Sequence, residues 1–220
     1  IGKGVRNIAK DDKVLISCIT SCGTCEACRK GMYSHCQSGG GWILGHLIDG
    51  TQAEYVRVPY ADTSLYHIPD GVAEEALTML SDIFPTAYES GVLNGAIKPG
   101  DTIAIVGAGP IGLATLLTAQ FYSPSKIIMI DVDMNLLQVA RTFGATETIL
   151  SSNGNTVKEV MELTGNRGVD VAIEAVGIPS TFDVCQSIVT AGGHVANVGV
   201  HGKSVELKLD KLWASNITIT

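Results

Sequence analysis

The sequence has no apolar run of the roughly 18 residues that a membrane-spanning helix needs, so nothing in it reads as a helical membrane span. It has no excess of basic residues. Fifteen Lys and Arg stand against 22 Asp and Glu, and the formal charge of −7 argues against a nucleic-acid-binding surface. No basic start leads into an apolar run and a small-residue cleavage site, so no secretion signal is read. Low-complexity stretches and internal repeats are missing too. What remains is a globular composition, 45% hydrophobic and 17% charged over 220 residues, long enough to bury a core as one large or two small domains.

The stretch Thr102 to Asp133 carries the densest signal. Thr102 to Val106 is an apolar run of the kind a buried parallel strand needs. It leads into Gly107-x-Gly109-x-x-Gly112, then Pro110, Ile111 and a helix-period run to Phe121. A second buried strand, Lys126 to Ile130, ends on Asp131, about 20 residues beyond Gly112. A pyrophosphate needs close backbone approach and a helix N-terminus to meet its charge. The first two glycines permit the turn and the approach, and the third lets helix pack on strand. The carboxylate of Asp131 is placed to accept hydrogen bonds from an adenosine ribose, and the motif in this strand–turn–helix setting predicts a dinucleotide cofactor. A 2′-phosphate would be repelled by that carboxylate, and no Arg follows directly to receive it, so the expected cofactor is NAD.

Beyond Asp131 strands and helices alternate. Helices are expected over Met134–Phe143, Thr156–Leu163 and Thr181–Val189, and strands over Thr148–Leu150, Val169–Ala175, His194–Val198 and the terminal NITIT. The pattern predicts a doubly wound parallel sheet of six strands. Ligands bind at the carboxyl ends of such strands, so Gly107, Asp131, Val176, Gly199 and Val200 are candidates to line the cofactor crevice.

Six cysteines stand outside this pattern or buried in it. Cys22, Cys25, Cys28 and Cys36 form a CxxCxxCx7C cluster, whereas Cys18 and Cys185 sit in apolar contexts. Four thiolates close a tetrahedral shell around Zn²⁺ with no open position, which makes a structural site. A redox CxxC has no need of four cysteines, and disulfides fit poorly where no secretion signal is found. Gly23 and Gly31 ease the tight turns, and the segment has little apolar content, so the metal would supply most of its order. His46 and His67 are each read as surface or packing residues, and His35, inside the lobe, is left out as a fifth candidate for a shell already full.

Elsewhere Ile1 to Leu15 reads as a strand in progress, Val14–Cys18 as a strand, and Ala53–Val58 as an alternating strand ended by Pro59. Ile1 is not Met, and NITIT stops without a turn, so the chain reads as a piece missing sequence at both ends. Helical spacing runs through Glu74–Leu80 and again through Ser81–Leu93. Asp82, between apolar neighbours, is either an N-cap of the second helix or a ligand facing a cleft. The turn Lys98-Pro99-Gly100-Asp101 divides residues 1–98 from 99–220.

Taken together, SCGTCEACRKGMYSHC, DGTQAEYVRVP, MLSDIFPTAYE, VGAGPIGL, EAVG and ANVGVHG resemble the zinc-containing medium-chain alcohol dehydrogenases along the entire chain. The resemblance implies a Rossmann sheet preceded by part of a GroES-like β-rich catalytic domain that carries the zinc lobe. It implies oxidation of an alcohol to an aldehyde or ketone, with hydride passing to NAD and a catalytic zinc acting as Lewis acid. Asp82 falls where many members carry a Cys ligand, and the resemblance makes it a catalytic-zinc ligand rather than a cap. The family's other two ligands, a Cys and a His, lie upstream of this chain, so the 220 residues alone are expected not to turn over. Trp42 resembles a substrate-pocket tryptophan, and Thr86 a residue near the nicotinamide. A cytoplasmic homo-oligomer, dimer or tetramer, is also implied. Competing expectations are a polyol, threonine or formaldehyde dehydrogenase of the same superfamily, and a non-catalytic NAD- and zinc-binding module.

Overall fold

A computed structural model describes residues 1–220, which fall into two compact units, Ile1–Asp82 and Ile83–Thr220. The turn at Lys98–Asp101 therefore lies inside the second unit, because the helical segment before it packs on that unit's sheet.

The first unit is sparse in regular structure. Strands β1 (Val14–Ile16) and β2 (Leu65–His67) pair antiparallel, Val14 opposite His67 and Ile16 opposite Leu65. Short helices α1 (Glu26–Arg29), α2 (Ala61–Ser64) and α3 (Glu74–Leu77) interrupt the loops, and a 3-10 turn, Thr78–Ser81, follows α3. The strand expected from Ile1 is confined to Val14–Ile16. Residues before it form turns, with Asp11 at φ 73° and the Asp62 carboxylate taking the N–H groups of Arg6 and Asn7 at 2.9 Å. The alternating stretch 53–58 is no strand either. Residues 53–57 are exposed and pair with no neighbour, and alternation without a partner ladder does not hold a strand.

The second unit is layered. Helix α4 (Ile83–Thr86) widens into a π-helical segment, Ala87–Leu93. Then come β3 (Thr102–Val106), α5 (Pro110–Ala119), β4 (Lys126–Asp131), α6 (Met134–Thr142), β5 (Glu147–Leu150), α7 (Thr156–Leu163), β6 (Val169–Glu174), α8 (Pro179–Ile188), β7 (Val189–Asn197), α9 (Leu209–Leu212) and β8 (Thr218–Ile219). The sheet order is β5-β4-β3-β6-β7-β8, all parallel. The chain winds outward from β3 to β5, then returns to the other side of β3, which makes the β3–β6 edge the switch point.

Strand side chains alternate between two buried faces. Ile103, Ile105, Met129 and Ile173 pack with Val92, Leu116 and Leu137, while Ala104, Ile128, Ile130 and Ala172 pack with Val160, Phe182 and Ile188. Burial on both faces explains why these strands read as unbroken apolar runs. The helices begin and end where local chemistry allows. Pro110 and Pro179 start α5 and α8 at positions that need no backbone donor. The Asp133 side chain caps α6 by accepting from the Asn135 N–H at 2.8 Å, and Gly144, at φ 105°, follows its end. No helix is long and apolar enough to cross a membrane.

Candidate functional site

The carboxyl ends of β3 and β4 build a glycine cradle. Gly107 leaves β3 at φ 107°, with its N–H held by the Ile130 carbonyl at 2.8 Å. A side chain there would meet Val176 and the Ala175 carbonyl. Gly109 is the extended residue before Pro110 opens α5, and its Cβ position faces open space, the approach a phosphate would use. At Gly112 a Cβ would overlap the Gly107 carbonyl oxygen, so only glycine lets α5 sit this close to the turn. Asp131 ends β4, and its carboxylate accepts from the Ala108 N–H at 2.6 Å and the Asp133 N–H at 2.8 Å. The carboxylate is thereby held at the rim of the cradle. Pro110 is exposed and Ile111 half-buried at the same helix start.

Across the switch point the loops after β6 and β7 meet. Val176 and Val200 are exposed there, Val200 at 91%, while Gly177 takes φ 90° under the Val200 carbonyl. Between the loops lies Glu174, fully buried. Burial, and next the charge of Glu174, push the nearby Cys185 thiol well above its ordinary range. Glu174, Thr181, Asn197 and His201 escaped the reading of the sequence as individual residues. EAVG and ANVGVHG mark their places, but one buried carboxylate in a strand end looks like any other polar residue until its partners are seen.

In the first unit the four lobe cysteines come together. Their sulfurs all lie within 4.8 Å of one another, with Cys22 and Cys28 at 3.9 Å. A tetrahedral shell with Zn–S bonds of about 2.3 Å needs sulfurs about 3.8 Å apart, so the cluster fits zinc with four donors and no open position. Backbone donors already point at the sulfurs. Cys22 Sγ accepts from the N–H groups of Thr24 and Cys25 at 3.4 and 3.3 Å, Cys25 Sγ from Gln37 at 3.4 Å, and Cys36 Sγ from Cys22 at 3.4 Å. Those of Thr24, with its hydroxyl, bring the Cys22 thiol down to about 5, and the Cys28 N–H leads in lowering Cys25. Burial raises Cys28 to about 12. The Thr20–Gly41 bridge closes the base of the lobe, and Tyr60 and Thr63 donate hydroxyl hydrogen bonds to the carbonyls of Ser38 and Ser21.

Asp82 stands at the joint after the 3-10 turn, at φ −152°. The Cys18 thiol hydrogen-bonds to it, and burial first and the Asp82 charge second raise that thiol to about 11. Cys18 and Asp82 are two donors. The four lobe cysteines are the only grouping of three or more potential ligands in the chain, so the residues here do not by themselves complete a catalytic zinc site. Trp42 is 59% exposed and stacks on His46 at 4.2 Å, and His46 Nδ1 bonds the Trp42 carbonyl at 3.0 Å. His67 Nε2 bonds the Asn7 carbonyl at 2.9 Å, and His35 Nδ1 the Ser34 hydroxyl at 2.9 Å. Thr86 is the last residue of α4.

Comparison with known proteins agrees with this arrangement. Residues 110–220 match a family described as zinc-binding dehydrogenase, and residues 1–70 the alcohol dehydrogenase GroES-like domain. An alcohol dehydrogenase of Cupriavidus necator is 41% identical over 169 residues, covering 77% of this chain and 46% of that protein. The NADP-dependent isopropanol dehydrogenase of Thermoanaerobacter brockii is 30% identical, covering 96% of this chain and 60% of that one. Among solved structures, the apo form of zinc dependent alcohol dehydrogenase 2 from Streptococcus pneumonia superposes with a TM-score of 0.95 at 58% identity, over all of this chain and 62% of its own. The chain spans about half the length of the curated relatives it matches first. With both domain families matched in turn along the chain and relatives at 41% and 58% identity, the chain belongs to the zinc-type medium-chain alcohol dehydrogenase family.

Proposed function

We propose that the whole protein is a zinc-dependent alcohol dehydrogenase that exchanges hydride between an alcohol and NAD. The observation that carries this is the presence in one chain of a closed four-thiol cluster and a glycine cradle with Asp131 at its rim. In this reading the lobe cysteines hold a structural zinc, and Gly107 to Gly112 receive the pyrophosphate. Asp82 contributes one ligand to a catalytic zinc, Trp42 contacts the alcohol, and Thr86 lies beside the nicotinamide. Zinc at a site of that kind acts as a Lewis acid on the substrate oxygen. The test is alcohol-dependent NADH formation by the zinc-loaded whole protein. Turnover of ethanol or 2-propanol is expected, and Asp82→Ala should lower it at least about a hundredfold, since even outer partners of a metal ligand are worth about 10- to 100-fold. Turnover undiminished in that variant would remove Asp82 from the reaction. A cytoplasmic homo-oligomer, dimer or tetramer, belongs to the same reading, and the six unpaired cysteines suit a reducing compartment.

The reading also carries an expectation for the cofactor. Asp131 meets the 2′ position of the adenosine ribose, where a hydroxyl donates to it and a phosphate is repelled. NADH is expected to bind at least about tenfold more tightly than NADPH, a difference of about 1.4 kcal/mol. Asp131→Asn keeps an acceptor for the Ala108 N–H, removes the charge, and should narrow the ratio. Fluorescence titration giving equal affinities in the parent would reject NAD as the preferred partner.

A further inference from the structure

Glu174 is the only fully buried carboxylate in the chain, and it belongs to neither the metal lobe nor the glycine cradle. Its oxygens accept from the Val176 N–H at 3.1 Å, the Gly177 N–H at 2.9 and 3.1 Å, and Thr181 Oγ1 at 2.5 Å. These donors all come from the turn after β6 and the start of α8. Its backbone carbonyl takes the N–H groups of Val198 and Gly199, at 2.8 and 3.0 Å, from the end of β7. On that side His201 Nε2 stands 3.4 Å from Glu174 Oε2 and donates to Asn197 Oδ1 at 2.8 Å. The amide orientation is set by Asn197 Nδ2, which donates to the Gly199 carbonyl at 3.0 Å. His201 Nδ1 is buried without a partner. A carboxylate taken out of water is tolerated only where donors surround it. Here the donors are the backbone of one crevice loop, with the second loop packed on the same group. A Cβ on Gly199 would overlap the Glu174 carboxylate and Gly177.

Gly107 to Gly112 and Asp131 occupy the β3–β4 side of the switch point, so a dinucleotide bound there must extend its other half across β6 and β7. We propose that Glu174 is a positioning residue: its carboxylate holds the turn after β6, against which the loop after β7 packs at Gly199 and His201, and so sets the width of the crevice half that takes the nicotinamide end. This rests on the reading of the crevice as a dinucleotide site.

The test separates the two halves of the ligand. ADP fills only the cradle side, whereas NADH fills both. Glu174→Gln, which removes the charge and puts a donor where Oε2 faces the Gly177 N–H and His201 Nε2, is expected to weaken NADH about tenfold or more, the scale of a lost charge-assisted hydrogen bond. ADP binding should stay within about twofold of the parent. Thr181→Val keeps the carboxylate and removes one donor, and should shift the NADH-to-ADP ratio the same way by about threefold. It decides the question if the Glu174 variant does not fold. NADH affinity unchanged in the variant that folds, or NADH and ADP weakened alike, overturns the positioning role. A parent that binds neither ADP nor NADH overturns the dinucleotide reading itself.

Discussion

Replacing Gly112 by alanine is expected to abolish measurable NADH binding and to lower the melting temperature of the chain. The added methyl would occupy the space of the Gly107 carbonyl oxygen and come within 2.9 Å of its carbon. Neither side yields easily. Helix α5 is anchored through Leu116 and Ala119, both fully buried, and β3 through Ile103 and Ile105, at the middle of the sheet. Forcing one extra carbon into packing of this kind costs about 1–3 kcal/mol or more. On the scale of about 2–4 °C per kcal/mol for a chain of this size, the melting temperature should fall by several degrees. The turn that relaxes is the one that would meet the pyrophosphate, so a loss of NADH affinity of at least about a hundredfold accompanies the loss of stability. Gly109→Ala is the contrast. Gly109 has φ −71°, and nothing lies within 4 Å of its Cβ position. That variant should melt with the parent and still bind NADH weakly, because its methyl stands only in the path of the ligand. If Gly112→Ala bound NADH like the parent, the cradle would not be the pyrophosphate site.

The second unit was legible because its signals are local and repeated. Each buried strand is an apolar run bounded by glycine or a polar residue, and β3, β4 and α7 fall within a residue of their expected limits. A parallel sheet buried on both faces leaves little freedom in reading such runs. The first unit was harder. Ala53–Val58 alternates as a strand should, yet exposure and the lack of a paired neighbour leave it irregular. Strand formation depends on the partner as much as on the pattern. The same distinction runs through the site. CxxCxxC and GxGxxG are contiguous, so their chemistry is visible in the sequence, and the sulfurs do converge. The Glu174 network draws on Val176 in the turn after β6, Thr181 at the start of α8, Asn197 at the end of β7 and His201 in the loop beyond it, and only the fold brings them together. Cys18 beside Asp82 was hidden for the same reason.

Cys28→Ser is expected to remove the lobe's zinc and its order together. The lobe buries little apolar surface: Ala27 and Cys28 are its buried side chains in α1, while residues 29–35 are exposed. Helix α1 has only four residues, too few to be stable without an external constraint. Most of what orders the segment must therefore come from the four sulfurs and the metal they fit. Structural zinc binding in small cysteine sites is worth about 10–16 kcal/mol at neutral pH. Shared over four thiolates, one ligand accounts for about 2.5–4 kcal/mol, or a hundred- to about a thousandfold in affinity. Desalted parent protein should carry zinc at the lobe, and the variant should lose it under the same treatment, measured as metal per chain by mass spectrometry. Proteolysis should then cut between Cys22 and Cys36 first, because residues 29–35 are exposed and the backbone hydrogen bonds of the segment run only within it. ADP binding to the variant reports whether the second unit remains folded, which separates loss of the lobe from collapse of the chain. A variant that kept both its zinc and its resistance to proteolysis would show that three cysteines suffice, and that the order of the lobe comes from Tyr60, Thr63 and the Thr20–Gly41 bridge instead.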